Sequence, residues 1–157
     1  MPSRKKNIGI TRAKADELIA ALVERAKAVD AGPQYLYGVS RAAIFGSYLS
    51  AKEKLGDIDV AVELGPKERN PPAHWKLVEE EQRQLAPRGN MLERLYWPEF
   101  RVQKALRGRH AAFSFHTYDE LEQMEQESGT PSKLIYRNQA VDRQTFFDRP
   151  SAPVQGE

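Results

Sequence analysis

FGSYLSAKEKLGDIDVAVE, running from Phe45 to Glu63, is the stretch whose reading decides the fold. An apolar run, Ser40 to Phe45, stops abruptly at Gly46-Ser47. A second, Ile58 to Leu64, opens behind Asp57-Ile58-Asp59. The two runs predict two strands, with a short helix over Ser47–Lys54 and a turn at Leu55-Gly56 between them. Glycine at 46 lets a backbone or a phosphate come close where strand gives way to helix. Ser47 is placed to cap that helix and to offer its hydroxyl to a phosphate. Residues two apart on a strand share a face, so Asp57 and Asp59 should stand roughly 6–7 Å apart along it. Paired carboxylates repel unless a cation lies between them. Hard oxygen ligands, completed by water and phosphate, suit Mg²⁺. The plainer reading of the pair is a turn at the start of a strand, with Asp57 capping and Asp59 solvated.

Phe45-Gly46-Ser47, nine intervening residues, then Asp57-Ile58-Asp59-Val60: this pattern resembles the signature of the nucleotidyltransferase superfamily, which includes DNA polymerase beta and the minimal nucleotidyltransferases. The strict match covers about 20 residues, and the expected element order extends it to about residue 125. The resemblance implies an α+β nucleotidyltransferase fold, a small mixed β-sheet with helices packed mainly on one side. It implies that Asp57 and Asp59 hold Mg²⁺ or Mn²⁺ and that Gly46 and Ser47 cradle the β- and γ-phosphates of an NTP. An acceptor hydroxyl would attack the α-phosphorus, and pyrophosphate would leave. Small members of the family transfer a nucleotide to a protein or RNA hydroxyl, and some are antitoxins that modify a HEPN-family ribonuclease toxin. Family members usually carry a third carboxylate on a neighbouring strand. The candidate strand here, Ala112-Phe113-Ser114-Phe115-His116, has none. Two readings therefore stay open: an active transferase, or a catalytically inactive module of the same fold that binds a partner protein, a nucleotide or a nucleic acid.

Outward from the central stretch, residues 1–10 read as a mobile basic lead-in, with Arg4, Lys5 and Lys6. Thr11 can cap a helix to about Val29, whose Leu18, Ile19, Leu22, Ala26 and Val29 form one apolar stripe. Asp30-Ala31-Gly32-Pro33 ends it. Asn70 predicts a helix from Pro71 or Pro72 to about Leu85, broken by Pro87-Arg88-Gly89. Asn90 and Glu93 have capping-box spacing for a short helix. Trp97-Pro98 opens another helix, to Arg107, and Gly108 closes it. Ala111 to His116 reads as a third strand. Thr117 caps a helix to Met124, with Glu120 in the reciprocal position. Ser132 to Arg137 fits strand and helix alike. The domain spans residues 11–141, and residues 142–157 read as an irregular tail with Phe146-Phe147 as an apolar docking point.

On the third strand Ser114 and His116 share one face. Histidine changes charge near neutral pH, so His116 is a candidate base in place of the missing acid. A polar strand-end residue is the plainer reading. Glu63 shares the Asp57/Asp59 face but lies about 13 Å beyond Asp59. Arg101, Lys104 and Arg107 line one side of their helix, a patch suited to a triphosphate or a nucleic-acid backbone, and equally to a solvated face. Tyr48, directly after the Gly-Ser turn, is the aromatic placed to stack on a nucleotide base. His110 and His116 would lie about 20 Å apart and cannot share a zinc. His74 beside Trp75 reads as a surface or packing residue.

Composition narrows the class. The chain has 157 residues, a length that suits one domain. It has no cysteine, which excludes a disulfide scaffold and cysteine-based zinc sites. A net charge of +2 is too small to imply nucleic acid by itself. No apolar run approaches the 18 or so residues of a membrane span. A cytoplasmic protein, with no membrane partner, is the expectation.

Overall fold

Two runs of small and branched apolar residues become the central pair of a sheet. β2 (Tyr37–Phe45) and β4 (Ile58–Pro66) lie antiparallel, with Phe45 opposite Asp59 and Tyr37 opposite Pro66. β5 (Phe113–Thr117) adds parallel to β4, and β6 (Ser132–Arg137) antiparallel to β2. The strand order is β5-β4-β2-β6, a small mixed sheet in an α+β fold. A parallel pair needs a long crossover. Here α2 (Pro71–Leu85), α3 (Met91–Leu95) and α4 (Trp97–Arg107) supply it. The computed structural model describes residues 9–86 and 90–141. The break expected at Pro87-Arg88-Gly89, the basic residues 4–6 and the tail with Phe146-Phe147 lie outside these.

The helices follow their caps and stripes. α1 (Arg12–Ala31) starts where the Thr11 side chain accepts from Lys14 N, and it buries Ala15, Leu18, Leu22, Ala26 and Val29. Asn70 and Asn90 cap α2 and α3 in the same way, accepting from Ala73 N and Glu93 N. α5 (Tyr118–Ser128) opens with both bonds of the Thr117/Glu120 capping box. One core joins α1, α2 and α4 to Val39, Ile44, Val60 and Phe113 of the sheet. A smaller cluster on the opposite face packs Tyr118 and Leu121 of α5 on Ala43, Phe45 and Ala61. Helices thus cover both faces of β2, which accounts for its nearly unbroken burial.

A bulge at Ser40 decides which face each β2 residue occupies. The pairing with β4 shifts between Val39 and Arg41. An extra residue reverses the alternation beyond it. Before the bulge, Tyr37 and Val39 face the larger core; after it, Ala42 and Ile44 do, while Ala43 and Phe45 face α5. Arg41 also turns to the α5 side, lying over the Tyr118 ring and bonded to Glu63.

At the other end of β2 one carboxylate ties three segments. Asp30 accepts from Val39 N at 2.7 Å, from Asn138 Nδ2 at 2.7 Å and from the Tyr136 hydroxyl. Burial and this bond raise the Tyr136 phenol above its ordinary range. Lys67 Nζ donates to Val29 O and Gly32 O, closing the end of α1.

Two expectations need correction and one open reading is settled. The helix over Ser47–Lys54 does not form. A single 3₁₀ turn spans Gly46–Leu49, and the Ser47 side chain caps nothing there. The turn stays short because Lys54–Leu55 is drawn into a two-residue strand, β3, against β1 (Ile10–Thr11). The same pairing holds Ile10, assigned to the mobile lead-in, against Leu55. Ser132–Arg137, left open between helix and strand, is the edge strand β6.

Candidate active site at the Gly46 turn

Phe45 and Asp59 lie directly opposite each other, so the Gly46 turn begins beside the Asp59 carboxylate. Gly46 has φ +81°, a conformation that side chains other than hydrogen disfavour. A Cβ built there would stand 2.4 Å from Asp59 Oδ2. The turn therefore offers a bare backbone next to one carboxylate oxygen.

The other oxygen faces β5. Asp59 pairs with Ser114 and Ala61 with His116, so alternation puts Asp59, Ser114 and His116 on one face. His116 Nε2 lies 3.2 Å from Asp59 Oδ1 and 3.3 Å from Ser114 Oγ. Its Nδ1 lies 3.5 Å from Glu120 Oε1. The ring packs edge-on to Phe45, centroids 5.0 Å apart. His116 and Asp59 keep about a quarter of their side-chain surface open, 27% and 29%, enough for a ligand to reach them. Each ring nitrogen thus faces a carboxylate, Nε2 toward Asp59 and Nδ1 toward Glu120, and the tautomer decides which of the two accepts from the imidazole.

Asp57 immediately precedes β4 and is exposed, and it forms no hydrogen bond or ion pair with another described residue. Ser47 is half-buried in the turn. The Tyr48 hydroxyl donates to Asp16, and its ring lies beneath Arg12. The bond to Asp16 and burial raise its pKa. Arg101 and Lys104 do not join this group. Arg101 donates to Gln34 O at 2.8 Å and pairs with Glu81 at 3.3 Å, at the far end of β2. Lys104 extends over the Trp97 ring. Glu63 is engaged by Arg41 and Ser40.

Arg12 is the supporting residue that sequence reasoning missed. Its guanidinium donates to the carbonyls of Tyr48 (2.7 Å), Ser50 (2.6 Å) and Lys52 (2.9 Å), pinning the turn to α1. Nothing local in the sequence announces contacts across 36 to 40 residues.

Mg²⁺ is bound in proteins through one or two carboxylates, with water and phosphate filling the remaining positions. Asp59 Oδ2 lies beside a backbone that only glycine leaves open, and Asp57, exposed two residues earlier in the chain, is a second carboxylate of the kind such a site uses. No group of three or more His, Asp or Glu residues among those described could cage an ion alone. Comparison with family models, curated proteins and solved structures returns no match. Among the described residues no helix is long and apolar enough to cross a membrane.

Proposed function

We propose that this chain is a nucleotidyltransferase-fold enzyme that moves a nucleoside monophosphate from an NTP to a protein or RNA hydroxyl. The observation that carries the reading is the convergence of Gly46, Asp59 and His116 at one strand end. The bare Gly46 backbone admits phosphate oxygens beside Asp59. Asp57 and Asp59 would hold Mg²⁺ or Mn²⁺, which when bound neutralises phosphate charge. His116 lies on β5, the neighbour of β4, and in this reading it would take the part of the family's third carboxylate. With its ring proton on Nδ1, toward Glu120, Nε2 would carry the free lone pair and could accept the proton of the attacking hydroxyl. Glu120, fixed by its own bond to Thr117 N, holds the other side of the ring. Ser47 adds a hydroxyl to the phosphate cradle. Tyr48 would offer a base only the ring face that Arg12 leaves uncovered. By resemblance the acceptor class includes a HEPN-type toxin, which would make the chain an antitoxin acting in the cytoplasm.

The second reading is the inactive binding module. Its support is that Asp57 lies outside β4 and that no group of three or more candidate metal ligands forms among the described residues. Incubation with each α-labelled NTP, Mg²⁺ or Mn²⁺ and host lysate separates the two. The transferase reading expects a labelled protein or RNA band that disappears with Asp59→Asn. No label with any nucleotide or either metal, from folded protein, would leave the binding module.

A further inference from the structure

β5 stops at Thr117, opposite Val62, while β4 runs on to Pro66. Residues 63–66 are paired with β2 on one side and, among the described residues, with no strand on the other. This open edge borders a recess of about 1330 Å³ between α2, the start of α4 and the start of α5. Trp75 and Glu79 line it from α2, Tyr96 and Glu99 from the α3–α4 junction, Tyr118 and Asp119 from α5. Lys76 is the single basic residue among the described lining. The recess is thus acidic in a chain whose net charge is +2.

Two groups in the wall bear on what it would bind. Tyr118 is 8% exposed, and its buried hydroxyl has no hydrogen-bond partner among the described residues. Glu99 is raised above the usual carboxylate range by burial, despite a hydrogen bond from Tyr37. A donor-rich cation would pair with the Glu99 carboxylate. The volume exceeds that of a drug-sized pocket, roughly 300–1,000 Å³. An unpaired strand edge along the border suits an extended backbone.

We propose that the recess binds an extended, arginine-bearing segment of a partner protein, added to the edge of β4 at residues 63–66 where β5 leaves off. Backbone amides of the segment would pair with β4, and alternate side chains would enter the recess. A guanidinium stacks on tyrosine and tryptophan and pairs with carboxylates, matching Trp75, Tyr96, Glu99 and Asp119. The acidic lining disfavours an RNA backbone. The recess runs along the Val62–Pro66 half of β4, and none of Gly46, Asp59 and His116 lines it, so the proposal does not depend on nucleotide transfer.

The tryptophan in the wall provides the assay. The full chain is titrated with an acetylated, amidated eight-residue peptide alternating arginine and threonine, followed by tryptophan fluorescence. Saturable binding is expected, weakened about tenfold or more by Glu99→Gln and by Asp119→Asn, the loss of a charge-assisted bond. Asp119 is exposed, so its variant keeps the fold even where Glu99→Gln does not. Glu24→Gln, on the exposed side of α1, should bind like the original protein. The same peptide N-methylated at alternate amides should lose binding. No saturable change, or unchanged affinity in Asp119→Asn, overturns the site. Undiminished binding of the N-methylated peptide overturns strand addition, and displacement of the peptide by single-stranded RNA overturns the choice of partner.

Discussion

A side chain at position 46 meets two obstacles at once, the Asp59 carboxylate and a positive φ. Gly46→Val is therefore expected to weaken NTP binding by about tenfold or more, because both obstacles act where phosphate must approach. Ser47→Ala removes one neutral hydrogen bond, worth about 0.5–1.5 kcal/mol. Calorimetry on both variants, with folding checked by circular dichroism, ranks them; equal NTP affinity in folded Gly46→Val and the original takes Gly46 out of the site. His116 supports a second expectation at this scale. In a transferase, His116→Ala should lower the rate by roughly 10²–10⁴-fold and flatten the acid side of the pH–rate profile, as loss of a general base does. A variant with an unchanged profile would reduce His116 to a packing neighbour of Phe45. These residues were legible beforehand because they obey a two-residue alternation. Ser114 and His116 share a face whatever the rest of the chain does, and the register of β4 with β5 brings Asp59 to it. Arg12 obeys no such local rule, since its three carbonyl partners come from a loop whose path only the finished structure defines.

Among the elements, those announced by short-range capping formed as read. Thr11, Asn70, Asn90 and Thr117 each bond a backbone N–H three residues on. Ser47 carried a similar signal and failed, because strand pairing of Lys54–Leu55 with Ile10–Thr11 competes for the same residues. That pairing is non-local and invisible to propensity. The bulge at Ser40 is equally silent in sequence, yet it sets the parity that turns Phe45 toward His116. β6 was ambiguous because, as an edge strand, it keeps four of its six residues exposed and shows little period. The element most tied to its neighbours is the end of α1. Asp30→Ala would leave Val39 N and the side chains of Tyr136 and Asn138 without their acceptor. A loss of about 2–4 kcal/mol in urea unfolding is expected, from stranding several donors at once. A shift below about 0.5 kcal/mol, the scale of an ordinary surface change, would show that these bonds are dispensable.

For the molecule as a whole, His74 sets an acid limit on stability. It is fully buried against Tyr37 and Trp75, and burial lowers its pKa from 6.5 to about 4. Between those values the unfolded chain holds a proton that the folded chain refuses. Stability is therefore complete above about 6.5 and declines as pH falls toward about 4, by about 3 kcal/mol in all. His74→Gln should remove that portion of the pH dependence, read as a smaller drop in urea midpoint between pH 7 and pH 4; an identical drop would place the acid sensitivity elsewhere. The order of strands in the sheet also bears on biosynthesis. β2 is an early strand whose two partners, β4 and β6, both come later, and Asn138 bonds Asp30 across 108 residues. At a ribosome adding about 5–20 residues each second, β2 waits several seconds between its emergence and that of β6. Through that interval one side of β2 lacks its partner, and a nascent chain at this stage is the form in which a chaperone would be expected to meet it.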